Sequence, residues 1–183
     1  LDEAKVSCTK AISLKPKYIE AIHNLSLVEN YMNNSEAEIV LLKKLLQLDP
    51  ENFGLRAGVN LAICYFLNGN FSSSKKNLLS VAKIHEKKSL EFKNDQAYQK
   101  YLFNILKWYD GEHFDVCDKE NNKILFVIGE SHCLTGHHLN IKSSGYTLFS
   151  NAKLIKGCMQ WHLGNPAKNK YKSQFEDIFK SIK

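Results

Sequence analysis

Reactive side chains are concentrated in one short stretch of the sequence. Residues 124–138 read ILFVIGESHCLTGHH, so that one serine, one cysteine and three histidines closely follow five apolar residues. A serine hydroxyl becomes a nucleophile when a neighbouring base takes its proton, and cysteine and histidine are common zinc ligands. The residue types alone therefore suggest either acyl transfer at Ser131 or a zinc site.

The zinc hypothesis depends on four side chains of this stretch. Cys133 and His137 are four residues apart, a spacing that places two ligands on one face of a helix, and His132 and His138 lie beside them. Structural zinc needs a tetrahedron of ligands, and the sequence offers no second cluster to complete it. A phosphate-binding loop is not indicated either, because no Gly-Lys-Ser or Gly-Lys-Thr is present. We predict neither a metal nor a cofactor.

The apolar run before the cluster predicts a buried strand. ILFVI lacks the alternation of a half-exposed strand, which is typical of a strand covered on both faces in a parallel α/β sheet. Gly129 would then stand at the carboxyl end of the strand, where ligands bind in open α/β sheets. In the alternative interpretation, Gly129 makes a tight turn and Ser131 caps the next helix.

The segment VIGESH resembles the first block of the SGNH/GDSL hydrolase-like superfamily, in which a strand leads into Gly-Asp-Ser. This resemblance covers residues 123–183, with Glu130 in place of the usual aspartate. It implies that Ser131 is the nucleophile and that Gly157, within AKLIKGCMQWHLGN, supplies a backbone amide of the oxyanion hole. The implied activity is that of a serine esterase or acyltransferase acting on acyl or glycan substrates.

The resemblance covers only the opening of such a domain. The family's later Gly-x-Asn-Asp and Asp-x-x-His blocks, which supply a further oxyanion donor and the base, do not occur between Gly157 and Lys183. We therefore expect the domain to be truncated here, and the chain to lack serine esterase activity. KYKSQFEDIFKSI nevertheless predicts an amphipathic helix, and its apolar face carries Tyr171, Phe175, Ile178 and Ile182.

The first half of the sequence contains an internal repeat. AISLKPKY and LLQLDPEN place Pro16 and Pro50 34 residues apart, while AIHNLSL and AGVNLAI place Asn24 and Asn60 36 residues apart. Apolar residues recur at helical spacing between these phrases, so each predicted helix has one apolar face that only a neighbour can bury. The phrases resemble tetratricopeptide repeats, whose period is about 34 residues.

The tetratricopeptide resemblance covers residues 1–84 and implies antiparallel helix pairs stacked as a right-handed solenoid. By register the chain should begin inside a repeat, after its first helix. Four leucines at core positions should be buried: Leu25, Leu42, Leu61 and Leu78. A further helix in NDQAYQKYLFNILKWYDGE should begin after Asn94 or Asp95 as its N-cap, end at Gly111 and cap the array.

The same resemblance implies a ligand-binding face. Arrays of this family hold peptides in a groove lined by the first helix of each pair, with Asn24 and Asn60 where asparagine commonly holds the ligand's backbone. Carried over by register, this face would also include Glu20 and Val59. The residues implied to line it are His23, Asn24, Leu27, Tyr31, Arg56, Asn60, Ile63 and Phe66. Members of the family that bind chaperones capture the chaperone's carboxyl terminus with a set of lysine and arginine residues, which is absent here. We therefore do not expect the carboxyl terminus of a chaperone as the ligand.

The net charge of +6 does not indicate a nucleic-acid partner, because Arg56 is the one arginine among 25 basic residues and the lysines are spread along the chain. The five cysteines form no CxxC pair, which is typical of free thiols in a reducing compartment, and we predict a cytoplasmic protein. No apolar run approaches the roughly 20 residues needed to span a bilayer, so no membrane partner is expected.

The sequence thus predicts a mainly α protein, an α-helical tetratricopeptide solenoid followed by a truncated α/β segment with a short parallel sheet. The expected domains are a helical array with its capping helix at 1–112, a linker at 113–122 and a partial SGNH-like domain at 123–183. The expected function is a scaffold that binds a protein or peptide ligand. The unfinished sheet needs cover, either from the capping helix or from a second copy in a homodimer.

Overall fold

Helices dominate the chain, and a small α/β segment follows them. The computed structural model describes residues 1–85, 93–109, 123–137, 139–143, 146–158, 163–164 and 166–182. The leading helices are α1 (Asp2–Leu14), α2 (Ile19–Tyr31), α3 (Ser35–Leu48), α4 (Gly54–Leu67), α5 (Phe71–His85) and α6 (Lys93–Tyr109). The α/β segment contains β1 (Lys123–Gly129), a 3-10 helix (Ser131–Gly136), β2 (Asn140–Ser143), β3 (Tyr146–Leu154) and α7 (Lys170–Ile182). A mainly α fold with a small α/β segment is therefore confirmed.

The chain divides into two compact units, Leu1–Asn104 and Ile105–Lys183, so the division falls within α6. The predicted linker at 113–122 lies outside the described residues. Within the described part of the chain, no helix is both long and apolar enough to cross a membrane. The cysteines described there are free thiols: Cys8, Cys64, Cys133 and Cys158.

Neighbouring helices of the first unit run antiparallel. Contacts between α4 and α5 join residues that lie equally far before and after the turn between the two helices. Near the turn the Ser74 hydroxyl donates to the Ala62 carbonyl oxygen at 2.7 Å, and farther from it Gly58 faces Val81. A short connection also joins α2 to α3, and these two helices contact each other. The predicted antiparallel helix pairs are thus present, whereas a right-handed solenoid stays a prediction.

The turns inside the two helix pairs have the same hydrogen bonds, 36 residues apart. The Asn34 N–H and the Asn70 N–H each donate to the carbonyl oxygen five residues earlier, at 2.9 and 2.8 Å. The preceding residues, Asn33 and Gly69, have φ of 55° and 75°, a conformation that asparagine and glycine tolerate best. The Asn34 and Asn70 side chains then accept the backbone N–H three residues on, which caps the next helix.

The turns after α1 and α3 repeat as well, 34 residues apart. Lys15 and Asp49 leave the helical conformation, with φ of −135° and −149°, and each donates its N–H to the carbonyl oxygen four residues earlier. Pro16 and Pro50 follow them, and proline disfavours helical geometry in the residue before it. Both periods found in the sequence therefore correspond to repeated backbone geometry.

One buried cluster joins α2, α3 and α4. Its members are Ile22, Leu42, Leu45, Ala57, Leu61 and Cys64. The four leucines predicted to be buried are all at most 8 % exposed, namely Leu25, Leu42, Leu61 and Leu78. The apolar periodicity of the sequence thus identifies the inner face of each helix correctly.

Two polar residues occupy equivalent positions on the inner faces of α3 and α5. Glu38 is buried and accepts a hydrogen bond from the Asn30 side-chain amide at 3.0 Å. Ser74 is completely buried and donates to the Ala62 carbonyl oxygen. The preceding helix satisfies each polar group, so neither position leaves a buried group unpaired.

The close approach of α4 to α5 depends on a glycine. A Cβ atom added at Gly58 would lie 2.3 Å from Cγ2 of Val81, well inside contact distance. In the first helix pair the positions 36 residues earlier hold Ile22 and Leu45, both fully buried. In the second pair a glycine of α4 thus faces a valine of α5, whereas both helices of the first pair carry a large side chain at these positions.

The capping helix begins earlier than predicted. Because α6 starts at Lys93, Asn94 and Asp95 lie in its first turn and not at its N-cap. A carboxylate in the first turn interacts favourably with the helix dipole. Asp95 is buried and forms an ion pair with Arg56 of α4, with 3.6 Å between Oδ2 and Nε. The predicted end at Gly111 lies outside the described residues.

The sheet of the second unit has three strands in the order β1-β3-β2. β1 and β3 are parallel, as predicted, but β2 pairs antiparallel with β3, so the prediction of a parallel sheet is incomplete. The sequence carried a signal for this hairpin, since Ser144-Gly145 separates the paired residues Ser143 and Tyr146. The prediction that ILFVI is covered on both faces is wrong, because β1 has no buried residue and its Ile124 and Leu125 are exposed. AKLIKGCMQWHLGN, which resembles the second strand and following loop of the hydrolase-like family, begins in the last residues of β3.

The predicted amphipathic helix is α7, and its apolar face is buried as expected. Ile178 of α7 belongs to a core cluster with Ile155 and Cys158 of the loop after β3. The partly buried residues packed against this cluster are Ile128, Tyr171, Phe175 and Ile182. The second unit thus has its own small core.

We expect Gly58→Ala to destabilise the first unit, although alanine is the better helix former by about 1 kcal/mol. Overpacking against Val81 costs about 1–3 kcal/mol, so the free energy of unfolding should fall by up to about 2 kcal/mol. Urea unfolding of the full chain, followed by circular dichroism at the helical band, measures this change.

Gly164→Ala is the control, because among the described residues no atom lies within 4 Å of the Cβ that it would add. Combining Gly58→Ala with Val81→Ala should cost less than the two single changes together, since the smaller side chain removes the clash. If Gly58→Ala unfolds at the same or a higher urea concentration than the parent, the close contact between α4 and α5 is wrong.

Candidate functional site

The carboxyl ends of β1 and β3 lie side by side. Gly129, the last residue of β1, is paired with Leu154, the last residue of β3, and the Ile155 N–H donates to the Gly129 carbonyl oxygen at 2.7 Å. Because the strands are parallel, the loops that follow them leave the same edge of the sheet. Ser131 and Gly157 belong to these two neighbouring loops.

Glu130 connects the two loops. The Ser131 hydroxyl donates to Oε2 of Glu130, and the Gly157 N–H donates to Oε1 at 3.3 Å. Gly157 has a φ of 77°, in the left-handed region that favours glycine. The carboxylate therefore bridges the two residues that the sequence assigned to the nucleophile and to the oxyanion hole.

This arrangement does not by itself provide hydrolase chemistry. An oxyanion hole needs N–H groups aimed at the substrate oxygen, whereas the Gly157 N–H is aimed at Glu130. The Ser131 proton is directed at a carboxylate, which is too weak a base to activate an alcohol alone. Nor does Ser131 cap the 3-10 helix that it begins, because the N-cap residue is Glu130.

The histidines of the stretch lie in different environments. His132 is exposed, whereas His137 is 1 % exposed, and its Nδ1 accepts the Ala152 N–H at 2.9 Å. The Ser131 hydroxyl donates to neither ring. His138 and His162 lie outside the described residues.

His137 continues the hydrogen bonding of β2 beyond the end of that strand. Leu139 and Ser150 exchange hydrogen bonds just past the β2–β3 ladder, and His137 meets Ala152 two residues farther along each chain. The ring nitrogen replaces the carbonyl oxygen that a longer β2 would offer, so the buried N–H of Ala152 keeps a partner. Sequence reasoning missed this role because it depends on the strand register.

The cysteines beside Glu130 are neutral thiols. Cys133 Sγ lies 3.5 Å from the Gly129 carbonyl oxygen and 3.8 Å from that of Lys153. Burial, reinforced by the negative charge of Glu130, raises the pKa of the Cys133 thiol to about 12. The same two causes raise the pKa of Cys158. A protonated thiol is a poor nucleophile and a poor metal ligand, so neither residue is set up for catalysis.

The local backbone also separates the proposed zinc ligands. Cys133 lies within a 3-10 helix of three residues per turn, and His137 follows its end, so the four-residue spacing does not place them on one face. In the part of the chain that is described, no group of three histidine, cysteine, aspartate or glutamate side chains could hold a metal ion.

In the first unit, the predicted groove residues of α2 are accessible. Asn24 is exposed, Leu27 is 37 % exposed, and His23 and Tyr31 are half-buried. We call these four residues the α2 strip. An apolar surface interrupted by an amide therefore faces solvent on this helix.

The corresponding residues of α4 are mostly covered, and we call them the α4 strip. Ile63 is 5 % exposed, and Phe66 is fully buried with its ring 5.3 Å from that of Phe71. Asn60 is half-buried, and the Arg56 side chain is 47 % exposed. The structure thus leaves Ile63 and Phe66 in the core, where a ligand would not contact them directly.

A stripe of α6 is buried near the α4 strip. Asp95, which pairs with Arg56, is followed at helical spacing by Gln99 and Leu102, and all three are at most 9 % exposed. The ion pair places the first turn of α6 beside α4. Sequence reasoning expected a capping helix but gave no sign of this contact.

His23 links the α2 strip to the region of α4. Its ring centroid lies 5.1 Å from that of Phe53, and its buried Nε2 has no hydrogen-bond partner in the described part of the chain. Burial, and then the positive charge of Arg56, lower the pKa of His23. The imidazole is therefore neutral at neutral pH, and Arg56 supplies the positive charge here.

No protein-family model matches this chain, and no curated protein matches it either. The function must therefore be inferred from the geometry and the sequence together.

We expect a fluorophosphonate reagent to leave Ser131 unlabelled. Its hydroxyl donates to Glu130, and the Gly157 amide that would stabilise the reaction's oxyanion is aimed at the same carboxylate. Mass spectrometry of the treated full chain tests this, beside an active serine esterase as the positive control. A stoichiometric adduct on Ser131 would show that the residue is activated after all.

We expect His137→Ala to destabilise the second unit by about 2–4 kcal/mol, because it leaves a cavity and removes the acceptor of a buried N–H. His137→Asn should recover part of this loss, since its side-chain oxygen takes nearly the place of Nδ1. Urea unfolding measures these free energies, with the exposed His132→Ala as the control, which should stay within about 0.5 kcal/mol of the parent. Equal stability of His137→Ala and the parent would contradict the role of His137.

Proposed function

We propose that the chain is a protein-binding scaffold that holds an extended peptide along the α2 strip. The observation that carries this proposal is the difference between two equivalent helices. Leu27 on α2 is 37 % exposed, whereas Ile63, the equivalent residue 36 positions later on α4, is 5 % exposed. An apolar face that stays open while its repeat partner is covered is available to a second molecule.

The chemistry of the α2 strip suits a polypeptide backbone with apolar side chains. The Asn24 amide can both donate and accept, which matches the alternating N–H and C=O groups of an extended peptide. Leu27 and Tyr31 offer apolar area on the same side of the helix. Arg56, half-exposed beside His23, is paired with Asp95, so the strip favours apolar and amide contacts over an ion pair with the ligand.

The resemblance to tetratricopeptide repeats supports the same reading, because that family holds peptides on the corresponding face. The repeated turns at Asn34 and Asn70 agree with a helix-pair repeat. We place the protein in the cytoplasm in this proposal, since its described cysteines are free thiols that a reducing compartment would preserve.

The alternative, a serine esterase or acyltransferase of the SGNH type, rests on the resemblance of VIGESH and not on a contact described above. The bridging of Ser131 and Gly157 by Glu130 gives it no support.

A homodimer formed through the sheet edge also stays a prediction. β1 is one of the two outer strands of the described sheet, and its Ile124 is 55 % exposed.

Selection of peptides from a random display library on the immobilised full chain tests the proposal. Peptides that bind should be synthesised and titrated against the parent and against Asn24→Ala and Leu27→Ala. Loss of one or two hydrogen bonds, or of one apolar contact, is worth about 1–1.5 kcal/mol, so each variant should bind roughly tenfold more weakly.

Val40→Ala is the matched control, because Val40 is an exposed apolar residue of α3 outside the strip. Its affinity should stay within about twofold of the parent, which is less than 0.5 kcal/mol. A library that yields no specific peptide, or peptides whose affinity is indifferent to Asn24 and Leu27, would contradict the proposal.

A further inference from the structure

The outer face of α5 differs in charge from the rest of the first unit. Six residues of this helix line a shallow groove of about 360 Å³: Ser72, Lys75, Lys76, Leu79, Ser80 and Lys83. Their spacing places all six on one side of the helix. We call these residues the α5 face.

The α5 face is positively charged and carries no acidic residue. α5 contains three lysines and neither aspartate nor glutamate, whereas α1, α2 and α3 each contain two acidic residues. Lys76 and Lys83 are exposed, and Leu79 lies between them with 49 % of its surface in water. An apolar side chain held between two cations is the feature that a ligand would have to match.

The repeat provides an internal comparison for this face. Thirty-six residues before Ser72, Lys76, Leu79 and Lys83, the helix α3 carries Glu36, Val40, Lys43 and Gln47. The two remaining equivalents on α3 are Ile39 and Lys44, so that face carries two lysines and one glutamate, a net charge of +1, whereas the α5 face carries three lysines and no acidic residue. The α5 face is therefore the more basic of the two repeat-related faces.

The residue types favour an acidic polypeptide over a nucleic acid as the occupant. Lysine ammonium groups are point charges on flexible stems, which suit carboxylates that are not held in a fixed plane. The α5 face has no aromatic ring on which bases could stack and no arginine to clamp phosphates. Leu79 would contact an apolar side chain between the ligand's carboxylates.

We propose that the α5 face is a second binding surface, which takes an acidic polypeptide segment with an apolar residue between its carboxylates. Carboxylates of the segment lie at Lys76 and Lys83, and its apolar side chain lies on Leu79. The amino end of α5, near Ser72, adds the positive end of the helix dipole to the same surface. The surface is independent of the α2 strip, which lies on a different helix.

Titration of the full chain with a fluorescein-labelled peptide of Glu-Glu-Leu repeats tests this assignment. We expect saturable binding that weakens with added salt, and at least about a tenfold loss of affinity in Lys76→Glu with Lys83→Glu. The matched control is Lys17→Glu with Lys43→Glu, two exposed lysines outside the face whose replacement changes the net charge equally. The control should lose less than about threefold.

Leu79→Ala separates the apolar contact from the charge. It should weaken the Glu-Glu-Leu peptide about three- to fivefold, whereas Leu14→Ala, at an exposed leucine of α1, should not. Equal losses in the two double variants would mean attraction to net charge alone and would overturn the proposal. An absence of saturable binding would overturn it, and so would tighter binding of single-stranded oligothymidylate than of the acidic peptide.

Discussion

Each helix of the first unit has one apolar face, and only a neighbouring helix can remove that face from water. The degree of burial follows from the number of neighbours. α1 has no fully buried residue, whereas most residues of α4 are buried, although neither helix is long. The burial of an apolar side chain of average size is worth about 1.5–3 kcal/mol, so the cluster around Leu42, Leu45 and Leu61 stabilises the whole unit. Pairing through short, repeated turns makes this burial possible.

The same constraint decides where the unit can bind a partner. α4 lies between α3 and α5, and two residues of its strip, Ile63 and Phe66, are buried, whereas Arg56 stays half-exposed beside Asp95 of α6. α2 keeps its strip open, and α5 keeps a basic outer face.

In the second unit the corresponding constraint is electrostatic. Glu130 satisfies the Ser131 hydroxyl and the Gly157 amide together, which fastens two loops and occupies both groups.

Periodic features could be predicted from the sequence, and features that depend on tertiary register could not. The helix pairs and the buried leucines follow from apolar spacing, and the nearness of Ser131 to Gly157 follows from two strands ending at one edge. β2 has only four residues and no apolar periodicity, so it was missed. The role of His137 depends on its position opposite Ala152, and the ion pair of Arg56 depends on the position of Asp95 beside α4. No local pattern encodes such contacts between distant residues.

The difference in exposure between the two repeat-related strips can be measured without a ligand. In a chain whose half-buried Cys8 and whose Cys117, which lies outside the described residues, are replaced by serine, Leu27→Cys and Ile63→Cys would each be treated with a thiol reagent under native conditions. We expect the thiol of Leu27→Cys to react nearly as fast as in the unfolded chain. The thiol of Ile63→Cys should react at least about a hundredfold more slowly, because the reagent reaches it only when the surrounding helices unfold locally. Equal rates at the two positions would show that the α2 and α4 strips are equally open, and would contradict the account.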